Sequence, residues 1–206
     1  MESLTATRTE LLARRRAVAL AEQGRDVLAD KRTALLRAFQ ARSGELVRRL
    51  AALRTSAAGA RACLDAATAV VGPSGLASAS YAAAATVGVS VQAEVIAGVS
   101  VVDVRHAEVR RAPSDRGYAT VATDPVVDTV AEVYEQEVLD LLELAALELT
   151  VRRLAQEIAR TTRQVNALEQ VVVPRLRTQE SRIALALEER EREETARLRR
   201  ARTRRG

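Results

Sequence analysis

From Val126 to Arg205 the chain carries no Gly and a single Pro, Pro174. Through the middle of that run Leu147, Val151, Leu154, Ile158, Thr161, Val165, Leu168 and Val172 recur in steps of four and three. That 3.5-residue period is the heptad of a left-handed coiled coil, and its apolar stripe has to be covered by a second element. The opening of the chain offers one. Between Thr5 and Val71 there is no Pro and only Gly24, Gly44 and Gly59. Leu4, Leu11, Val18, Phe39, Leu46 and Leu53 fall on one heptad lattice, and Leu28 and Leu35 supply the second seam position. Arg25 and Arg32 interrupt that lattice, which costs little if their heads reach past the seam into water. Pro174 removes one backbone hydrogen bond at ~3 kcal/mol and marks an expected kink. Beyond it the spacing loosens to Leu176, Ile183, Leu187 and Leu198. The eleven-residue step from Val172 to Ile183 implies a local unwinding of the supercoil.

Two stripes on segments from opposite ends are covered most economically if the chain folds back in its middle. The predicted fold is therefore mainly α: a long antiparallel two-helix coiled coil formed by the N- and C-terminal segments, with a small central β-hairpin region. The expected divisions are a helix in 1–71, a Gly/Ala/Val-rich hairpin region in 72–125, and a second helix with a basic tail in 126–206. Gly72, Pro73, Gly75, Gly88, Gly98, Pro113, Gly117 and Pro125 all crowd into the middle. There Val87, Val89, Val91, Ala93 and Val95 alternate with Gly88, Ser90, Gln92 and Glu94, the two-residue period of a half-buried strand. Val99, Val101 and Val104 suggest its partner, with Ala97-Gly98 near the turn. Asp124-Pro125 is a sound helix start, since Asp caps free amides and Pro needs no donor there.

Composition narrows the function. Only Phe39, Tyr81, Tyr118 and Tyr134 are aromatic, while 48% of residues are apolar and 29% charged. Slender helix-to-helix seams suit Ala, Leu and Val better than a thick enzyme core does. No phosphate-cradling loop exists around Lys31, the one Lys, because Asp30 precedes it instead of Gly. His106 and Cys63 are the only His and Cys, too few for a zinc site. No catalytic residue, cofactor or metal ligand is expected. The start Met1-Glu2-Ser3-Leu4-Thr5 is unlike a secretion signal, and no transmembrane span is read, so a cytoplasmic chain reaching a membrane only through partners is expected. Thirty-two basic against 27 acidic residues give +5, with the signs interleaved along most of the chain. Six Arg and no acid lie in Thr195–Gly206. An Arg-rich scaffold that binds nucleic acid is the alternative reading of that charge, although no stacking aromatics accompany it.

The stretch RQVNALEQVVVPRL (Arg163–Leu176), followed by Ile183, LEERERE (Leu187–Glu193) and Arg197-Leu198-Arg199, resembles the D subunit of the V-type (archaeal and bacterial A/V-type) ATPases and ATP synthases. Thr7-Arg8, Leu11-Leu12, the run from Leu20-Ala21 to Gly24-Arg25, and Leu28 with Asp30-Lys31-Arg32 and Leu35 are similar to the start of that family. Gly98-Val99-Ser100-Val101 lacks the Pro its members commonly carry near this place. The resemblance implies a non-catalytic central-stalk protein, the rotor axle of a rotary ATPase, coupling ATP hydrolysis or synthesis to proton or sodium transport. It implies A and B ring subunits around the end bearing both termini, the F subunit on the shaft, and the C (d-type) subunit at the membrane-facing end. It implies no direct nucleotide or nucleic acid, and a place peripheral to the membrane. Arg163, Asn166, Glu169, Arg190, Arg192, Arg197 and Arg199 are the expected shaft-to-ring contacts.

Overall fold

The computed structural model describes residues 7–119 and 122–203; Leu4 of the first lattice and Arg204 and Arg205 of the basic tail lie outside the described residues. The elements in chain order are α1 (Arg8–Ala82), β1 (Val89–Ile96), β2 (Val99–His106), a short 3₁₀ turn (Pro113–Asp115), α2 (Pro125–Ala167), a π-helical turn (Leu168–Val172) and α3 (Val173–Thr203). The two terminal segments are thus long helices, with a two-stranded antiparallel hairpin between them. The described residues group into two units, one of 1–34 with 158–206 and one of 35–157.

Local sequence explains where the helices start. At the head of α1, the Thr7 hydroxyl accepts a hydrogen bond from the Glu10 amide at 3.2 Å. That is the Thr-x-x-Glu pattern that satisfies the free amides of a first turn. At the head of α2, Asp124 Oδ1 accepts from the Val126 amide at 3.0 Å, and Pro125 occupies the first helical position.

α1 reaches Ala82, past the Gly72-Pro73 pair at which the sequence places its end. Gly72 leaves helical geometry (φ 72°, ψ 160°), and the chain restarts its helix on Pro73. Gly tolerates the left-handed φ, and Pro lacks only an N–H that a first turn leaves unbonded. A Gly-Pro pair therefore breaks the helix here and restarts it.

Within the unit of 1–34 and 158–206 the helices run antiparallel. Arg8 pairs with Glu191 at 2.7 Å, Arg14 donates to Gln179 at 3.2 Å, Arg15 pairs with Glu180 at 3.1 Å, and Arg177 pairs with Glu22. Rising numbers on one side meet falling numbers on the other. Within the unit of 35–157 the same sense holds, with Arg49 on Glu143 and Ser56 Oγ on Glu137 at 3.2 Å.

On α1, Val18, Leu35, Ala60 and Ala67 are buried, while Leu11, Leu28, Leu46 and Leu53 are half-buried, as are Arg25 and Arg32. Ala60 and Ala67 continue the heptad lattice of Leu46 and Leu53 with small side chains. On the return segment Leu147, Leu154, Thr161 and Val165 are buried, and Val151, Ile158 and Leu168 are half-buried. Each fully buried Leu or Val contributes ~1.5–3 kcal/mol.

Val172 departs from the heptad expectation. It is 38% exposed, and its neighbour Val173 is 5% exposed. The π turn is the cause: the Val173 amide bonds back five residues to the Leu168 carbonyl. The extra residue in that turn carries the seam from Leu168 to Val173 in a step of five. From Val173 it continues through Leu176, Glu180, Ile183 and Leu187 in steps of three and four, all buried or half-buried. The apparent eleven-residue loosening is a one-residue offset absorbed within a single turn. Its position beside Pro174 is physical, because a Pro ring collides with the carbonyl four residues earlier in a regular helix. A widened turn relieves that collision.

The hairpin closes on Ala97 and Gly98, both with positive φ (51° and 77°), the geometry of a type I′ turn. Its register pairs Val89 with His106, Val91 with Val104, Ala93 with Val102 and Val95 with Ser100. The sequence suggests a half-buried strand; β1 is exposed from Val89 through Val95.

Candidate interaction surfaces

The seven residues put forward from sequence as ring contacts, Arg163, Asn166, Glu169, Arg190, Arg192, Arg197 and Arg199, are all exposed. They sit on the returning helical segment of the terminal unit. Arg163 and Asn166 lie in the last turns of α2, Glu169 in the π turn, and the four Arg on α3. From Glu188 to Arg200 every residue faces solvent. Within that stretch Arg192 lies 3.8 Å from Glu188 and 3.7 Å from Glu189, and Arg197 lies 3.8 Å from Glu193. These are loose pairs along one helix, each worth ~0.3–0.5 kcal/mol. Their acids are available to an incoming Arg, and their Arg to an incoming acid.

The unit of 35–157 holds a polar cluster that the sequence reading missed. Arg116 is 1% exposed. Its Nε donates to Glu135 Oε1 at 3.2 Å and its Nη2 to Glu135 Oε2 at 3.0 Å, a two-pronged fork. Its Nη1 donates to Asp128 Oδ1 at 2.7 Å, which also accepts from the Tyr118 hydroxyl at 2.6 Å. Glu135 takes a further bond from the Arg111 amide at 3.2 Å, and Arg111 Nη2 donates to the Ala83 carbonyl at 2.9 Å. The loop after β2 is thereby bound both to the first turns of α2 and to the end of α1.

Charge in this cluster follows the contacts. Burial acts to raise the Glu135 pKa, but the bonds from Arg116 and the Arg111 amide outweigh it and leave the carboxyl below its ordinary value. Asp128 is lowered by the Tyr118 hydroxyl first and by Arg116 next. Tyr118 is raised by burial and by its bond to Asp128. The Arg116 guanidinium is raised, chiefly through Glu135. One signal for this cluster is present in the sequence: Asp128 and Glu135 stand seven residues apart, on one face of α2, after an isolated Arg116-Gly117-Tyr118.

Beside the cluster lies a cavity of about 690 Å³ lined largely by apolar side chains, among them Leu76, Val109, Val130 and Tyr134. Among the described residues no group of three His, Cys, Asp or Glu side chains is placed to hold a metal ion. No helix among them is long and apolar enough to cross a membrane. His106 and Cys63 lie in different elements, β2 and α1.

Paired long helices and one antiparallel hairpin define a mainly helical protein. Residues 10–203 match the family model described as the D subunit of ATP synthase. The chain is 38% identical over 195 residues to the A-type ATP synthase D subunit of Thermococcus gammatolerans, covering 94% of this chain and 91% of that protein. It is 32% identical over 211 residues to the A-type ATP synthase D subunit of Methanoregula boonei, covering 99% and 98%. It is 36% identical over 204 residues to the V-type ATP synthase D subunit of Anaeromyxobacter dehalogenans, covering 99% and 98%. The chain belongs to the family of ATP synthase D subunits, whose members are non-catalytic parts of a larger complex.

Proposed function

We propose that this protein is the central rotor axle of a rotary A/V-type ATP synthase, coupling events at a nucleotide-binding ring to proton or sodium movement through a membrane sector. The observation that carries the reading is the antiparallel pairing of N- and C-terminal helices within the terminal unit, through an aliphatic seam under an exposed Arg/Glu surface. An axle needs internal cohesion and an exterior that does not stick. Buried aliphatics supply the first. Exposed ion pairs, each worth ~0–1 kcal/mol, supply the second, since partners can be exchanged from one ring position to the next without trapping.

In this reading the end with both termini enters a ring of A and B subunits. Arg163, Asn166, Glu169, Arg190, Arg192, Arg197 and Arg199 meet the ring. The F subunit binds the shaft, and the C (d-type) subunit receives the opposite end. The three divisions 1–71, 72–125 and 126–206 correspond to descending helix, membrane-facing region and returning helix. The complex lies in the cytoplasm, peripheral to the membrane.

The test is reconstitution with A, B and F subunits and observation of a bead fixed to this chain. ATP-driven stepping supports the axle. A ring that hydrolyses ATP while the bead stays still overturns it. Arg192→Ala, Arg197→Ala and Arg199→Ala together are expected to lower torque several-fold; unchanged torque removes those residues from the contact. Binding of nucleic acid that falls steeply with salt, with no assembly on the ring, would favour the scaffold reading instead.

A further inference from the structure

The cavity beside the Arg116 fork is lined entirely from within the unit of 35–157. Leu76 and Ala79 of α1, Val109 of the loop after β2, and Val127 and Val130 of α2 give it apolar walls. Ala84, Ala85 and Glu108 of its lining are exposed and set its mouth. Its volume of about 690 Å³ lies within the ~300–1,000 Å³ of sites that take small organic molecules, and is more than one side chain of a neighbouring protein would fill. Two features of the lining stand out. Tyr118 and Tyr134 both belong to it, in a chain with three Tyr, one Phe and no Trp. The Tyr134 hydroxyl has no hydrogen-bond partner among the described residues. The second feature is charge. Arg116 lies 3.0 Å from Glu135 and 2.7 Å from Asp128, and Arg111 lies 3.6 Å from Glu135, so these two cations and two carboxylates cancel. Glu108 is left over: its carboxylate has no hydrogen-bond or ion-pair partner among the described residues.

We propose that this cavity binds a small organic cation, an apolar body carrying one ammonium group. The body displaces water from walls that offer it few hydrogen bonds. The ammonium meets the Glu108 carboxylate at the mouth and the Tyr134 ring, since a cation within ~6 Å of an aromatic face is attracted to it. An anion finds no free base in the lining. Arg111 donates to the Ala83 carbonyl and faces Glu135, and Arg116 is 1% exposed behind its own two carboxylates. A neutral molecule gains only the apolar contacts. A ligand seated here touches the end of α1, the segment 83–88 that leads to β1, the loop after β2 and the first turns of α2 together. It therefore braces the base of the hairpin. The inference is independent of whether the chain acts as an axle.

The experiment titrates probes of one shape and different charge, phenylbutylamine, phenylbutanol and phenylbutyrate, into the full-length chain by calorimetry. The amine is expected to bind with Kd below about 1 mM and about fivefold more tightly than the alcohol, with the butyrate weakest. Glu108→Gln is expected to weaken the amine about threefold and to leave the alcohol unchanged, which also shows that the variant is folded. Tyr134→Leu keeps an apolar side chain in the wall and is expected to weaken the amine more than the alcohol. Ala131→Leu narrows the cavity and is expected to weaken both. Equal affinity for amine and alcohol, preference for the butyrate, or an amine preference that survives both Glu108→Gln and Tyr134→Leu overturns the inference. So does the absence of binding by any probe at about 5 mM. The amine is then titrated into the purified assembled complex. Unchanged affinity supports a free small molecule as the occupant; loss of binding there means that a neighbouring chain fills the cavity, and overturns it.

Discussion

Gly117 lies against the carbonyl of Ala82, the last residue of α1, so closely that a methyl group at Gly117 would run into the carbonyl oxygen. The Ala82 carbonyl carbon is 3.3 Å from the same position, and Gly117 has φ 84°. Both features demand glycine: the left-handed backbone disfavours any side chain, and the helix end blocks one. Gly117→Ala is therefore expected to cost about 2 kcal/mol or more, from φ strain at ~1–2 kcal/mol and the displaced contact. Thermal unfolding of Gly117→Ala against Gly98→Ala checks this. Gly98 also has positive φ but open space around it, so its variant isolates the strain alone.

The neighbouring Arg116 fork makes a second expectation. Arg116→Met leaves Glu135 buried beside fewer donors, and breaking a buried pair in this way costs ~3–5 kcal/mol. The joint change Arg116→Met with Glu135→Leu removes both charges and is expected to recover part of that loss. Denaturant midpoints of the wild type and the two variants measure the recovery; a double variant no better than the single would assign the loss to shape instead of charge.

Acid sensitivity follows from the same contacts. The folded pKa values of Glu135 and Asp128 lie below their ordinary ones. The folded state thus holds fewer protons than the unfolded chain in the interval between the two values. Stability from these groups is complete above the unfolded carboxylate range near ~4 and is lost as pH falls through the lowered folded values. The wild-type melting temperature is expected to drop below about pH 4, and the double variant to drop less steeply. Equal slopes would show that other carboxylates dominate acid unfolding.

The offset at the π turn can be read by truncation. Val173→Ala removes a buried side chain and is expected to destabilise by about 1–3 kcal/mol. Val172→Ala, in the position a strict heptad favours, is expected to change stability by no more than about 0.5 kcal/mol. The reverse order in denaturant titrations would mean that the helix runs as an unbroken α-helix through Pro174.

How far the sequence reaches is clearest at these same residues. The long helices follow from spacing, since Val18 to Leu53 and Leu147 to Leu168 repeat over several heptads and only one period fits. The turn of the hairpin follows from Ala97-Gly98 between two alternating runs. Three consecutive Val, Val171-Val172-Val173, hide which one enters the seam, because the choice depends on one added residue in a turn beside Pro174. Ala60 and Ala67 are lost among the many Ala of that region. Arg116 reads as one surface Arg among many, because its burial depends on Asp128 and Glu135, which the first turns of α2 bring to the loop that carries it. Alternation in β1 reports that the strand has two unlike faces, but not that Val89 through Val95 stay exposed on both of them.

Thr161 offers the last prediction. It is fully buried on the seam, and its hydroxyl oxygen has no hydrogen-bond partner among the described residues. A hydroxyl taken out of water without a partner costs ~1–3 kcal/mol. Thr161→Val keeps the branched shape and replaces that oxygen with a methyl group, so it is expected to stabilise by about 1 kcal/mol and to raise the melting temperature by about 2–4 °C. Thr161→Ser keeps the hydroxyl and loses the methyl, so it is expected to destabilise. The pair of variants separates polarity from packing: if Val lowers stability as much as Ser does, the hydroxyl is bonded in solution, and the seam at this position has a polar partner that the packing conceals.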